Sequence, residues 1–416
     1  MIAIYCKNKT PRITYTFEWI FEFILSQKIY FETNISAFKN FDGPKIAYSD
    51  TPIPDSLSLG DSNLLYQDDI QNQDLINIEF EDLIGIIKSN HHSMIPFDII
   101  ASSFYLISRY EEYVPSILDQ HQRFLYSQSV AFQQNFLDKT MINRYINWIR
   151  SALNQQFGLQ IPKPKTHFLL TMDVDHAFYN KNVPLAQFVK RNMLDLFNQS
   201  HKDKYDTYDF FIDAAKKQNI ETLLFILCPE NPHPLDHQNN RNAAVFQKLI
   251  SYLNTQTKIG IHPSYDTMGN NKLAEETTWL QNILQQKIIK NRFHFLRFQI
   301  SDLLKRFQNT SIQEDYSFGY AQIGGWRSST SFPFPFFDLI KNKPTPLWIY
   351  SPCWMDATYK YHQQNQEDFG LEVAKNQIKE IQKYGGVFIP IFHNDILSDE
   401  NWQKAYLHIL DYCKTD

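Results

Sequence analysis

Short apolar runs alternate with amphipathic stretches through the second part of the chain. The runs at 167–173, 222–228, 257–262, 293–298, 346–350 and 386–392 have the length and character of buried strands. Helical spacing fills the intervals, for example at 207–218, 242–254, 272–287 and 369–384. That alternation predicts parallel strands joined by helical crossovers, an α/β architecture. Six or so units over about 250 residues is the size of a (β/α) barrel, a fold that gathers active residues at the C-terminal strand ends. The first part of the chain reads differently. Ile2 to Tyr5 predicts a strand, and Thr16 to Gln27 a helix carrying Phe17, Ile20, Phe21 and Ile24 on one face. Residues 50–75 are rich in Asp, Ser, Asn and Pro and predict mostly loop. Pro96 to Val114 and Met141 to Leu153 predict two further helices. Ile161-Pro162-Lys163-Pro164-Lys165 favours extended backbone, because proline fixes φ and restricts its neighbour. The expectation is a smaller α+β domain over 1–160 followed by the barrel over 166–416.

Composition narrows the function classes. The chain has 416 residues, 43% hydrophobic and 15% aromatic, with 20% charged and a net charge of −5. This balance makes no electrostatic case for nucleic acid or an anionic membrane as partner. Only 12 glycines occur, and neither a phosphate-cradling Walker pattern nor a dinucleotide fingerprint is present. Cys6, Cys228, Cys353 and Cys413 are scattered and form no CxxC pair, so they read as reduced thiols. No apolar run approaches the roughly 20 residues of a membrane span, and the N-terminus lacks a secretory pattern. A cytoplasmic protein is expected.

The candidate chemistry centres on Phe168-Leu169-Leu170-Thr171-Met172-Asp173-Val174-Asp175-His176. Alternation along a strand puts Asp173 and Asp175 on the same face. Two like charges at the end of a buried strand raise each other's pKa, a cost that a cation removes. One carboxylate could then hold a metal while the other handles a proton; an Asx turn at the surface is the simpler reading. Polar groups stand at the other strand ends too. His262-Pro263-Ser264-Tyr265-Asp266 follows one strand. Arg292, His294 and Leu296 share a face of the next, with Arg297 on the other. Glu314-Asp315-Tyr316-Ser317 and Gly324-Gly325-Trp326-Arg327 lie in the loop beyond, Trp354-Met355-Asp356 follows 346–350, and His393-Asn394-Asp395 ends the last strand. Each alone has a structural explanation, such as a cap for Asp356 or a salt bridge for Arg327. Their recurrence at the same strand ends is what points to a site.

The order of these motifs resembles the NodB-type polysaccharide deacetylases, carbohydrate esterase family 4, over about 165–416. Thr171-Met172-Asp173-Val174-Asp175 is similar to that family's first motif and His262-Pro263-Ser264-Tyr265-Asp266 to its second. Trp326-Arg327 before Pro333, Trp354-Met355-Asp356 and Phe392-His393 match the remaining three. Pro96-Phe97-Asp98, Phe104-Tyr105, Ser108-Arg109-Tyr110-Glu111-Glu112-Tyr113 and Arg123-Phe124 resemble the N-terminal domain of unknown function of a divergent bacterial branch. The resemblance implies a distorted, NodB-like (β/α) barrel of about seven strands and a divalent metal, Zn2+ first, with Co2+ or Mn2+ as alternatives. Asp175 and His262 are the implied ligands. The family's second motif-two histidine is Asp266 here, so the third ligand is Asp266 or, favoured, His294, or else the metal is lost. The implied catalytic roles are Asp173 as base, Arg327 holding it ionised, His393 as general acid and Asp356 orienting His393. Tyr265, Asp315, Tyr316, Trp326 and Trp354 are the implied substrate contacts, with core packing as the other reading of the aromatics.

The expected activity is removal of an N-acetyl, or O-acetyl, group from an acetylated amino sugar or polysaccharide precursor. Two alternatives accompany it. One is a non-catalytic carbohydrate-binding or scaffold protein that has lost a ligand. The other is an amidohydrolase acting on a small non-sugar amide.

Overall fold

The computed structural model describes residues 1–90, 94–179, 203–236, 239–267, 271–363 and 368–414. Four short apolar strands form the first sheet: β1 (Ile2–Tyr5), β2 (Ile29–Glu32), β3 (Lys45–Ser49) and β4 (Leu57–Gly60). Their order is β2-β1-β3-β4 and every pairing is parallel. Helical crossovers link the first three, so this region has α/β character rather than the α+β arrangement expected. A hairpin of β5 (Leu75–Phe80) and β6 (Leu83–Ile87) follows. The expected helix over Pro96–Val114 is shorter, Ile99–Ile107, and Asp98 caps it by accepting from Ile100 N at 3.0 Å and Ala101 N at 2.8 Å.

The second sheet contains β7 (Thr166–Val174), β8 (Glu221–Leu227), β9 (Lys258–His262), β10 (Lys290–Asn291), β11 (Glu314–Asp315), β12 (Phe334–Asp338), β13 (Lys343–Ile349), β14 (Trp354–Met355), β15 (Gly386–Phe388) and β16 (Pro390–His393). Its order is β12-β13-β11-β10-β9-β8-β7-β16-β14, with β15 pairing β7. All pairings are parallel except β12 with β13. Helices Tyr208–Lys216, Ala244–Gln256, Lys272–Leu284 and Leu371–Tyr384 occupy the expected intervals. The sheet is mixed, and among the described residues no ladder joins β14 to β12 or β13 to complete the expected distorted barrel. β11, β12 and β14 were not expected from the apolar runs. β11 and β14 have two residues each, too few to produce a periodic signal, and β12 is interrupted by Pro335.

The expected strand over 293–298 does not form. β10 stops at Asn291, and Phe295 and Leu296 adopt left-handed backbone with φ of 60° and 51°. Non-glycine residues rarely take this conformation, so nothing in the composition of His-Phe-Leu-Arg announces it. Tertiary contacts hold the turn: Arg123 Nη1 donates to Phe295 O at 2.7 Å, and Arg297 Nη1 to Tyr265 O at 2.7 Å.

The hydrophobic core runs without a break from the first sheet into the second. Trp19 Nε1 donates to Pro333 O at 3.0 Å, Tyr15 Oη to Pro335 O at 2.7 Å, and Arg144 clamps Glu380 at 2.7 and 2.8 Å. Arg109, also in left-handed backbone, donates to the carbonyl of Arg327 and pairs with Glu111 and Glu112. This Arg–Glu cluster is a buried junction between the two parts of the chain.

One glycine sets up the strand ends. A Cβ on Gly260 would meet the Phe225 ring at 2.6 Å and the Lys290 carbonyl at 3.0 Å. The Phe225 ring in turn carries the Arg292 guanidinium 4.3 Å above its centroid. Gly260→Ala is expected to cost about 1–3 kcal/mol by overpacking and to shift Phe225 under Arg292. Chemical denaturation checks the loss of stability; an unchanged midpoint would contradict it.

Candidate metal centre and catalytic groups

Register brings the candidate groups to one edge of the second sheet. Asp173 on β7 pairs with His393 on β16, and β7 continues to Asp175. His262 ends β9, Arg292 and His294 follow β10, and Asp356 follows β14. These are the C-terminal ends of parallel strands, the edge at which sheets of this type collect functional groups. A cavity of about 210 Å³ opens there, lined among others by Asp173, Asp175, His262, His294, His393 and Asp395.

Asp175, His262 and His294 each place one donor atom within 4.8 Å of the others. His262 Nε2 is 3.2 Å from Asp175 Oδ1, and His294 Nε2 is 3.5 Å from Asp175 Oδ2. Both rings are fixed from behind. His262 Nδ1 donates to the carbonyl of Arg292 at 2.6 Å, and His294 Nδ1 to Asp236 Oδ1 at 2.8 Å. With Nδ1 engaged, Nε2 of each ring faces the carboxylate, the arrangement that orients imidazole ligands. Asp175 Oδ1 is buried and has no well-aligned hydrogen-bond donor. A buried carboxylate whose two oxygens each face an imidazole nitrogen, one of them without an aligned donor, fits a divalent cation, and three protein ligands leave positions open for water or substrate.

The electrostatics agree with that reading. Burial would raise the Asp175 carboxyl, but His294 and His262 together hold it well below the usual range. Burial would lower the His294 ring, yet Asp175 and Asp236 outweigh it and push the imidazole to about 9. Without another cation, protonated His294 supplies the positive charge that Asp175 requires. Asp266 lies outside this group and pairs with Lys272 at 2.6 Å.

Asp173 and His393 stand beside the cluster, each with its own support. Arg292 Nη1 donates to Asp173 Oδ1 at 2.8 Å, Nη2 to Thr171 Oγ1 at 2.8 Å, and Nε to Tyr316 O at 3.1 Å. Asp173 Oδ2 is 3.7 Å from His262 Nε2. Asp356 accepts from His393 Nδ1 at 2.6 Å and from His393 N at 2.7 Å, leaving Nε2 3.8 Å from Asp175 Oδ2. Burial opposes the charged ring, but Asp356, Asp175 and Asp173 push His393 to about 10.

Other expected site residues take different places. Arg327 does not reach Asp173: its Nε and Nη2 donate to Glu112 at 2.8 and 2.5 Å, and its Nη1 to Gly319 O at 3.3 Å. The arginine beside Asp173 is Arg292, which sequence reading placed on the right face without a role. Asp315 is buried against Asn291 Nδ2 and Ser317 N, both at 2.7 Å. Tyr316 bonds Glu314 at 2.6 Å and stacks on Tyr350. Trp326 is fully buried, and Trp354 donates to Gly370 O at 3.0 Å. These four are core groups and do not line the cavity. Tyr265 stands behind its wall, with Oη 3.0 Å from His121 Nδ1. Asp236 went unnoticed because it lies in a Pro-rich loop with no strand to mark it. His121, Arg123, Tyr361 and His362 also line the cavity without a strand-end signal.

A cation entering this ligand set would have to expel the proton held by His294. For the metal-free protein, apparent zinc affinity is expected to climb by about tenfold per pH unit toward pH 9 and then level. Binding near neutral pH should release about one proton per chain from this ring. Calorimetry in buffers of different ionisation enthalpy checks this; pH-independent affinity would contradict it.

Residues 2–158 match a family of unknown function (DUF7033). No curated protein matches the chain. Solved structures similar to it include a putative polysaccharide deacetylase from Mycobacterium smegmatis, at 12% identity and TM-score 0.41, covering 62% of this chain and 87% of that one. A polysaccharide deacetylase from Bacillus cereus aligns at 10% identity and TM-score 0.30, over 59% of this chain and 87% of that one. A mutant of a CE4 family pseudoenzyme with restored enzymatic activity aligns at 10% identity and TM-score 0.31, over 60% and 62% of the two chains.

Proposed function

We propose that the protein is a metal-dependent hydrolase that removes an acetyl group from an acetylated amino sugar, as an N-acetyl or O-acetyl substituent. The observation that carries this reading is the convergence of three supported groups on one cavity. They are the Asp175–His262–His294 ligand set, Asp173 clamped by Arg292, and His393 backed by Asp356. The motif order along the chain, which resembles the NodB-type deacetylases, supports the same reading.

A divalent ion in the ligand set, zinc first, would lower the pKa of a bound water and polarise the acyl oxygen. Asp175, His262 and His294 would hold it. Asp173 is placed to take the proton of the attacking water, and Arg292 fixes the carboxylate's direction from the far side. His393 carries a proton at neutral pH and presents Nε2 to the cavity, as protonation of a leaving amine requires. Asp356 prevents rotation of that ring and stabilises its charged form. The departure at Asp266 does not remove a ligand on this account, because His294 supplies the second imidazole. The four buried, free cysteines fit a reducing compartment such as the cytoplasm.

Asp173→Asn keeps the shape and removes the base. It is expected to retain bound metal while hydrolysis of acetylated amino sugars falls by about 10²–10⁴-fold. Product amine assay beside elemental analysis checks both. Turnover at the wild-type rate would take the base role from Asp173.

A further inference from the structure

The first 160 residues also reach the cavity. His121 and Arg123 line it together with His362, from the same space that the metal-centre residues face. Arg123 is almost wholly buried. Its Nε and Nη2 meet Asp119 Oδ2, each at 2.8 Å, and its Nη1 donates to Phe295 O at 2.7 Å. A guanidinium has five N–H donors, so two have no partner among the described residues. Asp119 is already shared: it also accepts from His121 N and Arg123 N, both at 2.9 Å, and from Gln322 Nε2 at 3.1 Å. Arg297 stands close by, donating to His121 O at 3.0 Å and lying 4.2 Å over the Tyr265 ring. Among the described residues it has no carboxylate partner. In and behind this wall two guanidiniums thus stand for one carboxylate. Burial and the nearby charge of Arg327 work against the Arg123 cation, and Asp119 offsets them only in part.

A buried cation with spare donors beside a cavity is completed by an oxyanion. We infer that His121, Arg123 and His362 form an anion subsite, and that the substrate is an acetylated sugar bearing a carboxylate or phosphate. The sugar part of this inference rests on the hydrolase reading above; the anion subsite rests on the cavity wall alone.

The test uses the full-length, zinc-loaded chain in an Asp173→Asn background, so that probes bind without turnover. N-acetylglucosamine, N-acetylglucosamine 6-phosphate and N-acetylmuramic acid are titrated by calorimetry. At least one charged probe is expected to bind about tenfold tighter than the neutral sugar or better. Which charged probe gains tells phosphate from carboxylate. Added salt should erode that preference without affecting the neutral sugar, a readout that needs no further substitution. Arg123→Gln should reduce the preference to about twofold or less, and Arg123→Lys should restore part of it. Equal binding of all three probes, or binding of none, would overturn the subsite. So would an Arg123→Gln effect that weakens neutral and charged sugars alike, since that is what mere support of the Phe295 turn predicts. Turnover by the wild-type chain separates the two readings. Arg123-dependent binding with no deacetylation of any probe would uphold the subsite and sink the hydrolase. Deacetylation of neutral and charged sugars with equal efficiency would do the reverse.

Discussion

Two carboxylates at the end of a buried strand make the demand that the surrounding structure answers. Asp173 and Asp175 are both nearly inaccessible, and neither can lie beside the other in a poorly hydrated site without a cation. The chain answers separately for each. Asp173 receives a fixed cation, Arg292, held by Thr171, the Tyr316 carbonyl and the Phe225 face. Asp175 receives exchangeable positive charge, because His294 is protonated only while nothing stronger takes its place. On the proposed reading the asymmetry divides labour: the arginine-clamped carboxylate serves proton transfer, and the carboxylate facing two imidazoles serves a metal.

His294 reaches that position through strain. Two consecutive non-glycine residues in left-handed backbone follow it, each costing on the order of 1–3 kcal/mol. Such a turn persists only where its surroundings over-determine it, and here the first part of the chain helps to do so. Arg123 bonds Phe295 O, and His121 accepts from Arg297 through its carbonyl and packs on the Phe295 and Tyr265 rings. The Arg109–Glu112–Arg327 junction ties the same region to the second sheet. The N-terminal region therefore belongs to the site's construction, and breaking this buried ion network would leave uncompensated charge at the join.

Much of this is legible in the amino-acid sequence. Long apolar runs gave β7, β8, β9 and β13 within a few residues, because burial on both faces leaves an unmistakable pattern. The polar residues that follow such runs, Asp173, Asp175, His262 and His393, come together because parallel register aligns strand ends. Two-residue strands escaped, since β10, β11 and β14 are too short to have a period. His294 was placed on the wrong kind of element but on the correct side. Arg327 was expected beside Asp173 because the motif resemblance pointed to it, and only packing decides that Arg292 is the guanidinium that meets Asp173. Aromatics such as Trp326 and Trp354 carry no sequence mark that separates a sugar platform from a core side chain. Asp236, His121 and Arg123 come from loops, where position is set entirely by tertiary contacts.

The account turns on whether Asp175, His262 and His294 together hold one metal ion. Elemental analysis of protein purified without chelator, with His294→Ala and Asp266→Ala in parallel, tests this most directly. The account predicts about one divalent ion per chain in the wild type and in Asp266→Ala, and little or none in His294→Ala. Metal kept by His294→Ala and lost from Asp266→Ala, or absent from all three after incubation with zinc, would contradict it.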